Sequence, residues 1–265
     1  MDHTYWQKQA NNQALFEDLL WSRPENKRLA GKLLVVGGNL HGFAAPAEAY
    51  DQAAKAGIGT TKVLLPNALQ KTIGQLIENT EFAPCNNSGS FSKQALGEWL
   101  AFATWADGVL LAGDLGRNSE TAILLESFIG KYNGLLTITK DSADYFTNQP
   151  AGILERPQTT LVITIAQLQK LCTAAKWPTP IKFSMLALPL AEQLHQLTNT
   201  YAVNLVVLHN DLMFVASGGE VSTTSMPQTE SWRIKTAAHC AVWQIQNPGR
   251  PFEALTTAVY STCKS

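Results

Sequence analysis

The chain has 265 residues, 45% of them hydrophobic and only 15% charged, with a formal net charge of -1. A chain of that size can bury a substantial core and fits one large α/β domain as well as two small ones, one domain being the expectation, while the near-zero charge leaves no basic footprint for nucleic acid or for an acidic membrane surface. The four cysteines, Cys85, Cys172, Cys240 and Cys263, form no CxxC pair and have no zinc-type spacing with histidine, so reduced thiols are expected and no metal site is predicted.

The first residues, Met1 to Trp6, lack a basic segment followed by an apolar one, and no stretch approaches the ~20 apolar residues that span a bilayer. A soluble, cytoplasmic protein is the expectation. Trp6 to Leu20 then carries Ala10, Ala14, Leu15, Leu19 and Leu20 at the spacing of one helix face, which predicts an N-terminal helical segment within residues 1–24, stopped by Pro24. Lys32 to Val36 reads as a buried strand ending at Gly37-Gly38, and the alanine-rich run Ala44 to Ala56 as a helix ending at Gly57.

Alternation continues with a strand at Thr60 to Leu65, a helix from Asn67 to Ile77, a helix around Ser92 to Ala103 and a strand at Gly108 to Leu111. A helix from Asn118 to Ile129, strands at Leu135 to Thr139 and Thr160 to Thr164, and a helix from Ile165 to Ala175 follow. This order calls for a mainly parallel sheet covered on both faces, whose ligands gather at the carboxyl ends of the strands. Asn204 to Leu208 and Leu212 to Ala216, separated by His209-Asn210-Asp211, predict an antiparallel hairpin at the sheet edge. Two helices, near Ser231 to Gln246 and Pro251 to Thr262, close the chain.

The segment Asn26 to Asn39, with its basic entry, first strand and Gly37-Gly38-Asn39 turn, resembles that of the ADP- or ATP-dependent NAD(P)H-hydrate dehydratases of the ribokinase-like superfamily. Gly42-Phe43-Ala44-Ala45-Pro46 through Ala54-Lys55-Ala56-Gly57-Ile58-Gly59 is similar to that family's helix and Ala-Gly-x-Gly turn. Ala106 to Gly116, ending Gly113-Asp114-Leu115-Gly116, resembles its strand and Gly-Pro-Gly-Leu-Gly turn, and Pro251 to Tyr260 its closing helix. The resemblance spans residues 26–260. It implies one ribokinase-like domain over residues 1–265: a three-layer sandwich of a mainly parallel sheet, helices on both faces and a C-terminal antiparallel hairpin. It also implies a nucleotide or dinucleotide ligand, with ADP or ATP as co-substrate, and a homo-oligomer.

The family's Gly-Thr-Gly-Asp segment, an anion hole followed by the catalytic base, aligns with Thr236-Ala237-Ala238-His239. No glycine occurs between Gly219 and Gly249, so the backbone freedom that lets amides close on a phosphate is missing there. His239 stands at the base position and is the candidate catalytic residue, with a packed core histidine as its ordinary reading. A Thr-Pro-His-Pro-Gly-Glu segment is reduced to Ile163-Thr164-Ile165-Ala166-Gln167, a Leu-Lys-Gly turn to Leu208-His209-Asn210, and an Asp-Ala-Asp segment to Thr139 through Asp144, where only Asp141 could serve. His209, in the hairpin turn, is expected to be solvated.

Candidate ligand-binding residues are therefore Gly37, Gly38, Asn39, Gly113, Asp114, Gly116 and Asp141, all in turns after strands. Their ordinary readings are tight turns for the glycines and helix N-caps for Asp114 and Asp141. Three functions are carried forward: an active hydro-lyase acting on hydrated NAD(P)H, a catalytically silent relative retained as a binding or assembly module, and a small-molecule kinase. The replaced anion hole favours the silent relative.

Overall fold

The computed structural model describes residues 4–73, 78–226, 229 and 231–264. The expected N-terminal helix is replaced by a strand, β1 (Trp6–Gln9), and only Glu17–Trp21 is helical, as α1. Partners distant in sequence decide this, and local periodicity cannot register them. β1 pairs in parallel with a C-terminal strand; Trp6 Nε1 donates to Thr223 Oγ1 at 3.1 Å, and Gln9 Nε2 donates to Thr224 Oγ1 at 2.9 Å and to the Thr256 carbonyl at 3.0 Å.

Alternation then follows the sequence pattern closely. β2 (Lys32–Gly37), α2 (Ala44–Lys55) and β3 (Thr60–Pro66) lead to α3 (Gln70–Ile73), the described part of the helix expected up to Ile77; residues 74–77 lie outside the described ones. Next come β4 (Thr80–Ala83), α4 (Leu96–Trp105), β5 (Gly108–Gly113), α5 (Ser119–Ile129) and β6 (Leu135–Thr139). Two single turns, α6 (Asp141–Asp144) and α7 (Ala151–Leu154), precede β7 (Thr159–Thr164), α8 (Ile165–Ala174) and α9 (Ala187–Thr200). β8 (Asn204–His209), β9 (Leu212–Ser217), β10 (Glu220–Ser225), α10 (Trp232–Gln246) and α11 (Pro251–Lys264) complete the chain.

The strands form one sheet in the order β1-β10-β9-β8-β7-β6-β5-β2-β3-β4. Pairing is parallel from β8 through β4, and β8, β9 and β10 pair antiparallel. The expected hairpin is thus one strand longer. Gly218 and Gly219 join β9 to β10 with φ of +55° and +85°, the both-positive geometry of a two-residue hairpin turn.

Successive side chains of a strand serve opposite cores, which is why the runs are continuously apolar. Leu34, Val36 and Leu111 pack on one face with Trp99 of α4, Phe128 of α5, Leu168 of α8 and Leu194 of α9. Leu33, Val35 and Leu110 pack on the other with Ala49 of α2, Trp243 of α10 and Val259 of α11. Three layers result. The parallel strands share one direction, so their carboxyl ends form one edge and their amino ends the opposite one.

Candidate functional site

At the carboxyl edge, the turns after β2, β5 and β6 lie side by side because β2 and β5, and β5 and β6, are neighbours in the sheet. Gly113 adopts φ +107°, followed by Asp114 at +57° and Gly116 at +74°; Lys140 across the way is at +53°. A Cβ on Gly113 would stand 2.6 Å from Asp141 Oδ1. The turn therefore needs glycine for both its torsion and the closeness of Asp141.

That closeness serves a set of hydrogen bonds within the protein. Asp141 accepts the Asp114 N–H at Oδ1 (2.7 Å) and the Leu115 N–H at Oδ2 (2.9 Å). Asp114 Oδ2 accepts the Ala45 N–H at 2.7 Å, and Asp114 Oδ1 meets Lys140 Nζ at 3.1 Å. Asn39 Nδ2 donates to the Asp114 carbonyl at 2.5 Å, while its Oδ1 accepts the His41 N–H at 2.8 Å. Asp114 thus caps the first turn of α2 from outside that helix, where no side chain of its own does so. The N-cap role expected of Asp141 is corrected: Lys140 occupies the cap position of α6, and the Asp141 carboxylate is turned towards the β5 loop. Burial holds the Asp141 carboxyl above its ordinary range; the neighbouring Asp114 adds to this and the two amide donors oppose it.

The structure brings Asn39, Gly113, Asp114 and Asp141 together through these bonds. Gly37 is drawn against the same loop, for the Gly38 N–H donates to the Gly113 carbonyl at 3.0 Å. Gly116 is held by Tyr145, whose hydroxyl donates to its carbonyl, and it opens onto a cavity of about 330 Å³ lined also by Arg117, Asp141, Asp144, Tyr145 and Lys170. Lys140, Tyr145 and Gln167 belong to the site without having been singled out. Gln167 was legible: Thr164-Ile165-Ala166-Gln167 is a capping box at the start of α8, and Gln167 Nε2 further donates to the Lys140 carbonyl at 2.8 Å and to Asp144 Oδ1 at 3.0 Å.

Thr236 to His239, aligned with the family's anion-hole segment, lie inside a helix. α10 begins at Trp232 with Ser231 at its cap position, so these residues form an interior turn. His239 is 2% exposed, and neither ring nitrogen has a hydrogen-bond partner among the described residues. Burial, aided by Lys235, Arg23 and Lys55, pushes its pKa down to about 4, so the ring is neutral near pH 7. His209 is likewise buried rather than solvated, with Nε2 2.9 Å from the Met185 carbonyl. Among the described residues no cluster of His, Cys, Asp and Glu could hold a metal ion, and no helix is long and apolar enough to cross a membrane.

No protein-family profile matches the sequence, and no curated protein matches it. Solved structures do resemble the fold. A ribokinase-like superfamily protein from Enterococcus faecalis superposes with a TM-score of 0.72 at 15% identity, over 98% of this chain and 88% of that one. A hypothetical protein from Streptococcus mutans gives 0.69 at 17%, over 93% and 86%. The ADP/ATP-dependent NAD(P)H-hydrate dehydratase of Bacillus subtilis, crystallised with ATP and Mg2+ and soaked with CoA, gives 0.61 at 11%, over 92% and 84%. At such identities the likeness concerns architecture alone, and by that architecture the chain has the ribokinase-like fold.

Proposed function

We propose that this protein is a catalytically silent relative of the NAD(P)H-hydrate dehydratases, retained as a binding module whose ligand enters the cavity beside Gly116 and Asp141. One observation carries the reading: three backbone donors at the carboxyl edge that could receive a phosphate are already bonded to carboxylates of the chain itself. The Asp114 and Leu115 amides serve Asp141, and the Ala45 amide serves Asp114. A fixed carboxylate in such a cradle excludes a second anion by charge and by occupancy. His239 supports the same reading, because a general base must reach its substrate and this ring is sealed inside α10.

With phosphate cradling lost, selectivity rests on the cavity lining. Arg117 and Lys170 oppose Asp141 and Asp144 there, a mixed rim suited to a polar ligand bearing donors as well as acceptors. A nucleotide or dinucleotide held by its base and ribose meets that description. Thermal-shift titration with ADP, ATP, NADPH and AMP tests the ligand, since binding to the native state raises the apparent midpoint. A parallel assay with NADPH hydrate and ADP or ATP tests the silence. Nucleotide-dependent turnover abolished by His239→Ala would overturn the reading and make His239 the base.

A further inference from the structure

At the opposite edge of the sheet, a chain of buried polar side chains runs from β9 to α10. Ser217 Oγ donates to Asn204 Oδ1 at 2.7 Å, Asn204 Nδ2 donates to Thr160 Oγ1 at 3.3 Å, and Thr160 Oγ1 donates to Gln244 Oε1 at 2.8 Å. All four residues are buried, Gln244 to 4% exposure. Such a chain costs desolvation that an apolar core at the same positions would avoid, so stability alone does not account for it. Its last group, Gln244 Nε2, donates to no protein atom among the described residues, and Gln244, Asn204 and Ser217 all line one cavity of about 220 Å³.

The cavity lies between the amino ends of β6 and β8, the Gly218 turn and the break from α10 to α11, remote from the carboxyl-edge turns. No Asp, Glu, Lys or Arg lines it, while Leu135, Pro248 and Pro251 give it flat apolar walls. Its volume is below the ~300–1,000 Å³ that takes drug-sized molecules. We infer that this cavity is a second ligand site, selective for a small uncharged ring carrying a carbonyl next to an N–H. The carbonyl accepts from Gln244 Nε2, the N–H donates to Ser217 Oγ, and the ring lies against the prolines. An ion is excluded because nothing there compensates its desolvation.

Uracil is the probe, followed by 1H–15N spectra of the full chain. Addition should move the Gln244 side-chain NH2 and the Gly218 amide in a saturable manner, while 1,3-dimethyluracil, of similar shape but without N–H, should leave them unmoved. Gln244→Met keeps the length of the side chain and removes its amide donor without adding charge, so its spectrum should stay native away from residue 244 and the uracil response at Gly218 vanish. Absence of any shift at Gln244 and Gly218, or a response surviving at Gly218 in Gln244→Met or reproduced by the dimethyl compound, overturns the inference.

Discussion

Asp141 and Asp114 are bound as a reciprocal pair, the carboxylate of the first accepting the backbone N–H of the second at 2.7 Å while the carboxylate of the second faces Lys140, the neighbour of the first, at 3.1 Å. Two acidic residues so close repel one another unless donors lie between them. Here the amides of Asp114, Leu115 and Ala45 and the Lys140 ammonium supply that compensation. The turns after β2, β5 and β6 are therefore a self-contained electrostatic unit.

Removing Asp141 should dismantle that unit. Asp141→Ala leaves two amides without their acceptor and is expected to cost roughly 2–4 kcal/mol of unfolding free energy, against about half of that for Asp141→Asn, which keeps one carbonyl oxygen. The vacated donors should then accept an anion, so inorganic phosphate should raise the thermal midpoint of Asp141→Ala more than that of the parent. Urea unfolding that places Asp141→Ala level with the parent would show that these bonds contribute nothing net.

Gly113→Ala should be destabilising by about 1–3 kcal/mol, because alanine is strained at φ +107° and its Cβ would crowd Asp141 Oδ1 at 2.6 Å. Gly97→Ala is the internal control. It lies in α4 with nothing within 4 Å of the added methyl and should stabilise by ~0.4–1 kcal/mol. Equal effects of the two substitutions in a melting experiment would remove the conformational argument.

The parallel strands were legible because residues such as Leu33 to Val36 are buried on both faces, and burial on both faces writes itself as an unbroken apolar run. β1 was not, because Trp6 and Gln9 take their conformation from Thr223, Thr224 and Thr256, more than two hundred residues away. α9 had a readable stripe in Leu190, Leu194 and Leu197 that went unread beside the strands around it. For the site, the glycines of the turns announced special backbone at Gly113 and Gly116. The positive φ of Lys140 and the bonds from Asp141 to the β5 loop depend on tertiary placement and leave no local mark. The missing glycines before Gly249 were visible, and the helix read from Ser231 to Gln246 matches α10, but alignment to the family's Gly-Thr-Gly-Asp could not show that Thr236 to His239 lie a full turn inside it.

Gln9 is the pin of the N-terminal strand: besides its two donations it accepts the Leu15 N–H at Oε1, 3.1 Å away. Gln9→Ala should loosen β1 and lead limited proteolysis to cut near residues 10–16 well before the rest of the chain, since a four-residue edge strand has little else to hold it. Protection equal to that of the parent would mean that the parallel pairing with β10 suffices by itself.

His239 predicts an acid-side loss of stability whose sign follows from its depressed pKa. In the folded chain burial, then Lys235, Arg23 and Lys55, holds the ring near a pKa of about 4, whereas an unfolded histidine titrates near ~6.5. Above pH ~6.5 the ring is neutral in both states, and its contribution is fully present. As the pH falls from ~6.5 towards 4 the unfolded chain takes up the proton first, so stability declines by about 1.4 kcal/mol per pH unit, to roughly 3 kcal/mol in all, and then levels off. Asp141 cannot produce this slope, because a carboxyl raised by burial is protonated first in the folded state and stabilises it as the pH falls. Urea midpoints of His239→Phe, which keeps a ring in the same space, should therefore vary less between pH 7 and pH 4 than those of the parent. Identical pH profiles for the two proteins would show that the ring titrates alike in the folded and the unfolded chain, and would reopen His239 as a group able to exchange a proton with a ligand.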